Sequence, residues 1–286
     1  MTESKLVWLI TGTSTGIGRF LTLAALERGD SVIATTRARS MPQLADLETR
    51  GANILQLDVT DSFDNLKEIA KKAVEIHGRV DVVVNNAGCV IMSAVEEYTP
   101  EESLHQFNTN FFGAINVTRA FLPYMRERRS GTILWIGSVT AWSPRPSFGM
   151  YSATKYAMRG ISETLNEEIA HLGLRSINIE LGFFNTEVIP NATQYVNRIS
   201  DYEDFITKAY KALKEYHGQE PGDPAKGAEA IVDIVRGEGF AKDREIPPTV
   251  GFGADYHRDA KKSCEDTLKR LAEWESFTLS TDFTVN

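Results

Sequence analysis

Cysteine is almost missing from this chain. Cys89 and Cys264 are the only two among 286 residues, so neither a disulfide framework nor a cysteine-rich metal site can be assembled. Histidine is nearly as sparse: His77, His105, His171, His217 and His257 stand far apart, with no pair at the spacing metal ligands need. Basic residues are outnumbered, the formal net charge is −8, and the Lys and Arg that exist are scattered. A basic face is what nucleic acid or an anionic membrane surface requires, so neither is expected as a partner. Long apolar runs are absent too. Leu6–Ile10 is cut short by Gly12, too soon for a signal peptide or a membrane span, and a cytoplasmic location is expected. No internal repeat, low-complexity segment or linker rich in Pro or Gly divides the chain before residue 185.

What is there is ordinary globular material. Hydrophobic residues make up 42% and charged residues 24%, enough to bury a large core. Short β-branched runs alternate with amphipathic stretches. Strands are expected at Leu6–Thr11, Ser31–Thr36, Asn53–Val59, Val80–Asn85, Thr132–Gly137 and Arg175–Leu181. Several are apolar almost throughout, as parallel strands covered on both faces are. Helices are expected at Gly16–Arg28, Pro42–Arg50, Phe63–His77, Pro100–Asn110, Ala114–Arg129 and Tyr151–His171. This order predicts an α/β fold with a doubly wound parallel sheet of Rossmann type. Later come an amphipathic stretch at Asp201–Tyr216, a helix at Pro224–Arg236, a strand at Glu245–Gly251 and a closing helix at Asp255–Trp274. The expected organisation is one domain over 1–286, with a substrate lid at about 187–222 and a C-terminal extension at about 252–286.

The first strand runs into Thr11-Gly12-Thr13-Ser14-Thr15-Gly16-Ile17-Gly18, and a helix follows. A strand feeding a glycine turn at a helix N-terminus brings free N–H donors and a favourable dipole to a pyrophosphate. Gly12, Ser14, Thr15, Gly16, Ile17 and Gly18 are therefore candidate cofactor residues. An acidic residue after the second strand commonly pairs with the ribose hydroxyls of NAD. From Ser31 to Ala45 there is none. Thr36, Arg37 and Arg39 stand there instead, suited to a 2′-phosphate. NADP(H) is the expected cofactor and NAD(H) the alternative.

Tyr151 and Lys155, four apart at the start of a helical pattern, share a face. A free phenol has a pKa of about 10; lowering it by about 3 units takes on the order of 4 kcal/mol, which a neighbouring ammonium and an oxidised nicotinamide could supply. Ser138 follows the fifth strand at the carboxyl end of the sheet, where such folds form their sites. Asn85-Asn86-Ala87-Gly88 follows the fourth strand, and Asn110 precedes Phe111-Phe112-Gly113. Together with the glycine turn, these motifs resemble the short-chain dehydrogenase/reductase family over about residues 5–186.

The resemblance implies an oxidoreductase that interconverts a carbonyl and its alcohol by hydride transfer. Tyr151 would be the general acid/base, Lys155 would lower its pKa and hold the nicotinamide ribose, and Ser138 would polarise the carbonyl. Asn110 would anchor a water that relays protons from Lys155. Asp58 and Val59 would meet the adenine, and Asn86, Ala87 and Gly88 would pack along the cofactor. Thr186 would cap the carboxamide region, with Phe184 nearby. It also implies a homodimer or homotetramer paired through the two long helices. In place of the family's Pro-Gly after the sixth strand stands Leu181-Gly182, which frees φ and predicts a differently shaped nicotinamide end. Candidate substrate-facing residues are Ile91, Met92, Trp142, Pro144, Phe148, Phe183 and Phe184, with further contributions from Thr193–Tyr216. Such a lining suits an apolar or aromatic carbonyl. The late region is similar to a branch with hydroxysteroid- and retinol-dehydrogenase-like members. Two other readings stay open: a non-catalytic NADP(H)-sensing regulatory protein, and an epimerase or dehydratase that retains its cofactor.

Overall fold

In the computed structural model, which describes residues 5–194 and 199–283, seven parallel strands form the central sheet. They are β1 (Val7–Thr11), β2 (Ser31–Thr36), β3 (Asn53–Gln56), β4 (Val82–Asn85), β5 (Gly131–Ser138), β6 (Leu174–Leu181) and β7 (Thr249–Phe252). Their spatial order is β3-β2-β1-β4-β5-β6-β7. The order reverses between β1 and β4, so a crevice opens at the carboxyl ends of those two strands. β5 and β6 pair along their whole length, from Gly131 opposite Leu174 to Ser138 opposite Leu181.

Alternation along β1 explains the layering. Trp8 and Ile10 pack on one face with α1 (Gly16–Glu27) and α8 (Pro224–Arg236), while Val7 and Leu9 pack on the other with α3 (Phe63–His77), α5 (Gly113–Arg128) and α6 (Gly149–Ile169). Each fully buried Leu, Ile or Val contributes roughly 1.5–3 kcal/mol relative to exposure. Buried carboxylates fasten the opposite, amino end of the sheet. Asp30 accepts from Leu6 N (2.9 Å), Trp8 Nε1 (2.9 Å) and Arg236 Nη1 (2.8 Å). Helix ends follow their chemistry: Thr99 and Glu102 form a reciprocal cap on α4 (Pro100–Phe107), and Asp223 followed by Pro224 starts α8.

The differences from the sequence reading lie at boundaries. β3 stops at Gln56, leaving Asp58 and Val59 in the turn beyond it. α4 and α5 are not separate, because one π-helical turn, Asn108–Phe112, joins them. The stretch expected as a helix from Pro42 begins as a 3₁₀ segment, Ala38–Leu44, before the short α2 (Ala45–Thr49). β7 begins only at Thr249, since Pro247 and Pro248 have no N–H to give a ladder. The closing helix α9 spans Ala254–Leu279, five residues past the expected end, and is mostly exposed beyond Lys261.

In the 187–222 region, α7 (Ser200–Tyr216) lies over the sheet's carboxyl end. Its Tyr210 and Leu213 pack on Val90, Met92 and Ala192. Thr193 pairs with Ile91 in a two-residue parallel ladder. Residues 195–198 of that region lie outside the described residues.

Candidate active site

The glycine turn is shaped by contacts that side chains would destroy. Gly12 has φ +70°, and a Cβ there would sit 2.9 Å from the Ala87 Cα. At Gly18 a Cβ would meet the Asn86 amide and come 2.6 Å from the Gly12 oxygen. The same Asn86 amide donates to Thr11 O (2.8 Å) and Gly12 O (3.0 Å), while Thr11 Oγ1 accepts from the backbone of Asn86 and Ala87. The Asn86-Ala87-Gly88 segment after β4 therefore braces the turn after β1. Thr15 caps α1 without a side-chain bond, and the helix's first turn holds no acidic residue. Its N–H donors and dipole are left for an anion. This cradle fits a dinucleotide pyrophosphate. Ile17 presents only its backbone there, since its side chain belongs to the core.

Farther along the crevice, Thr36 is buried at the end of β2 and Arg37 is exposed just beyond. The Arg37 charge acts on the Cys89 thiol, lowering its pKa against the rise caused by burial. Asp58 accepts from Thr60 N (3.0 Å) and Thr60 Oγ1 (2.7 Å) through one oxygen, Oδ1. Val59 is core.

Ser138, Tyr151 and Lys155 line one cleft with Asn86, Gly88, Phe148 and Thr186, in a space of about 1000 Å³ open to solvent. Ser138 ends β5, and its Oγ accepts from Thr140 N (3.2 Å) and Thr140 Oγ1 (3.1 Å). Lys155 is buried, and its Nζ donates to Ile136 O at 2.6 Å on the same strand. The ammonium lies 5.5 Å from the centre of the Tyr151 ring, and the Phe148 ring meets that ring edge-on at 6.1 Å.

Burial pushes the Tyr151 phenol up to about 12, with the neighbouring Ser138 hydroxyl pulling it down, and burial pushes Lys155 down to about 8. Both groups lose solvation together, so a lowered phenol pKa needs added positive charge, the part the sequence reading gave to an oxidised nicotinamide.

Asn110, fully buried in the π-helical turn, is occupied by structure. Its Oδ1 accepts from Cys89 N (2.8 Å), and its Nδ2 donates to Cys89 O (2.9 Å) and Thr154 Oγ1 (3.3 Å). The side chain ties the loop after β4 to the helix carrying Tyr151 and Lys155.

Of the expected substrate residues, Phe148, Phe183 and Phe184 line the cleft. Trp142 does not. Its indole N–H donates to Glu180, and its ring lies under Arg159, whose guanidinium carbon is 3.8 Å from the ring centre. Ile91 and Met92 are buried behind the wall, and Pro144 is exposed on the loop surface. Sequence reasoning missed Arg145, Val188 and Ile189 among the lining residues, and it covered Leu213 only within the broad Thr193–Tyr216 stretch. Arg145 stands between the expected substrate residues Pro144 and Phe148 and could have been noticed by its charge. The other three depend on how 187–216 folds back, which no local pattern records.

Among the described residues, no group of three or more His, Cys, Asp or Glu could hold a metal ion, and no helix is long and apolar enough to cross a membrane.

A doubly wound parallel sheet with a glycine-braced cradle and a Ser, Tyr and Lys cleft at its carboxyl end defines a nucleotide-fold protein with a reaction site. The short chain dehydrogenase family model matches residues 6–196, and the chain belongs to this family, the short-chain dehydrogenase/reductases; it is an oxidoreductase of single-domain type. It is similar to oxidoreductase BOA17 of Botryotinia fuckeliana, 31% identical over 278 residues that cover 96% of this chain and 98% of the relative. It is also similar to a short-chain dehydrogenase structure from Streptomyces avermitilis, with a TM-score of 0.86 and 34% identity over 99% of this chain and 100% of that one. A third likeness is to the closed form of a serine dehydrogenase complexed with NADP+, with a TM-score of 0.70 and 27% identity over 86% of this chain and 94% of that one.

Proposed function

We propose that this protein interconverts a carbonyl compound and its alcohol with NADP(H), and that Tyr151 is the proton donor and acceptor. The observation that carries this reading is the meeting of Ser138, Tyr151 and Lys155 in one cleft with Asn86, the residue whose amide braces the glycine turn. The nicotinamide, when bound, supplies or accepts the hydride. Ser138 Oγ holds the substrate oxygen by a hydrogen bond, and Tyr151 gives it a proton in reduction or takes one in oxidation. Lys155, held on Ile136 O, keeps a positive charge beside the phenol. Gly12, Ser14, Thr15, Gly16, Ile17 and Gly18 hold the pyrophosphate, and Thr36 and Arg37 meet the 2′-phosphate. Asp58 and Val59 border the adenine, and Asn86, Ala87, Gly88, Phe184 and Thr186 border the rest. Asn110 is a positioning residue, and residues 187–222 serve as the lid over the substrate. NADP(H) is supported by the Arg37 position and by the NADP+-bound neighbour. The bulk composition suits a cytoplasmic enzyme.

The test is Tyr151→Phe. This variant is expected to bind NADPH as the parent does and to lose about 10²–10⁴-fold in turnover across a panel of ketones and aldehydes, the range a positioned acid supplies. Turnover within a factor of a few of the parent would remove Tyr151 from the mechanism.

A further inference from the structure

The cleft carries a charge pattern that its apolar walls do not explain. Although the chain is net negative at −8, the charged side chains among the described lining residues are Arg145 and Lys155, both cations; none is Asp or Glu. Lys155 is committed to Ile136 O beside the phenol. Arg145 is different. It stands seven residues after Ser138, on the loop that leads to Tyr151.

Arg145 is held but not satisfied. Its Nη2 donates to Asp259 Oδ2 at 3.1 Å, and its guanidinium carbon lies 5.2 Å from the centre of the Phe183 ring. Its Nε is buried with no hydrogen-bond partner. Asp259 cannot neutralise it alone, because its other oxygen pairs with Arg258 Nε at 2.8 Å. Asp255, at the start of α9, has Oδ2 taken by the Phe183 N–H at 2.7 Å, and its buried Oδ1 accepts no hydrogen bond, from Arg145 or any other group. A buried donor left unmet is costly and rare. A cation fixed on an aromatic face and short of acceptors is a site for a planar anion.

We propose that the substrate carries a carboxylate in addition to its carbonyl or alcohol, and that Arg145 is the specificity-determining residue that receives it. This rests on the reaction site proposed above and adds its substrate class. Val90, Phe148, Phe183, Val188, Ile189 and Leu213 make the rest of this wall apolar, so the body of the substrate is apolar. A single guanidinium matches a monoanion; the dense donors a phosphate dianion calls for do not surround it.

Calorimetric titration of the purified protein with octanoate and with methyl octanoate, each with and without NADP+, tests this without turnover. The parent is expected to bind octanoate at least about tenfold more tightly than the ester. Arg145→Gln is expected to abolish that preference while ester affinity stays the same, and Arg145→Lys to retain part of it. Equal affinities in the parent, including no detectable binding of either compound, overturn the proposal, and so does a preference that survives in Arg145→Gln. The two readings fail separately. Loss of the octanoate preference leaves the carbonyl panel and Tyr151→Phe to judge the chemistry, whereas an absence of turnover with the preference intact removes the reaction and keeps the anion subsite.

Discussion

At the scale of single residues, function here depends on what a side chain is prevented from doing. Ser138 accepts two bonds from Thr140, and Asn110 spends its amide on Cys89 and Thr154. Arg37, by contrast, is exposed just beyond the end of β2. Arg37→Ala is therefore expected to weaken NADPH binding by tenfold or more and NADH binding by less than a factor of three, since a charge-assisted bond to phosphate exists only for the first. Fluorescence titration with both nucleotides checks this, and equal weakening would show that Arg37 does not read the phosphate. The placement of residues was legible in the sequence wherever spacing fixes it, as with Tyr151 and Lys155 on one side of a helix and the close-packed glycine turn. Trp142 was misread for the converse reason. A loop aromatic gives no sign of which side it faces, and here Glu180 and Arg159 claimed it.

At the scale of elements, legibility follows burial. β1, β2 and β4 are buried on both faces, and their continuous apolar runs marked them out. The π-helical turn at Asn108–Phe112 left no such trace, because its hydrogen-bond shift is set by the packing of Asn110 and not by any apolar period. α9 is a helix of two characters. Asp255, Tyr256 and Asp259 in its first turns reach the loop after β6, the Glu180 cluster and Arg145. Beyond Lys261 it stands clear, with the exposed, solvent-screened pairs Lys262–Asp266 (2.9 Å) and Lys269–Glu273 (3.8 Å) along it. Deleting residues 268–286 is expected to lower Tm by no more than about 2–4 °C, the equivalent of about 1 kcal/mol in a chain of this size. A fall above 10 °C in a thermal melt, or a changed mass in sedimentation, would show that Leu268, Leu271, Trp274 and Phe277 are covered in the working protein.

At the scale of the whole molecule, Lys155 and Tyr151 make folding respond to alkaline pH. Lys155 sits at about 8 against an ordinary 10.5. Between those values the unfolded chain holds a proton that the folded protein lacks, so stability rises with pH there and is lost as pH falls toward 8. Tyr151, raised from 10 to about 12, acts with the opposite sign. Between pH 10 and 12 the folded protein keeps a proton that the unfolded chain releases, and stability falls. Urea unfolding between pH 8 and 10 is expected to show a Lys155 contribution approaching about 1.4 kcal/mol per pH unit. Lys155→Met should lack that component. A variant whose pH slope matches the parent would mean that Lys155 keeps its proton in the folded state.

The bond from Lys155 Nζ to Ile136 O has a mechanical outcome as well. Ile136 precedes Ser138 by two residues on one fully paired strand, so the cation and the hydroxyl ride on a common rail. Their spacing is set by that strand and by the one bond to it, and not by the segments that cover the cleft. In the reaction proposed above, the two groups that flank the phenol would thus share a footing in the sheet core.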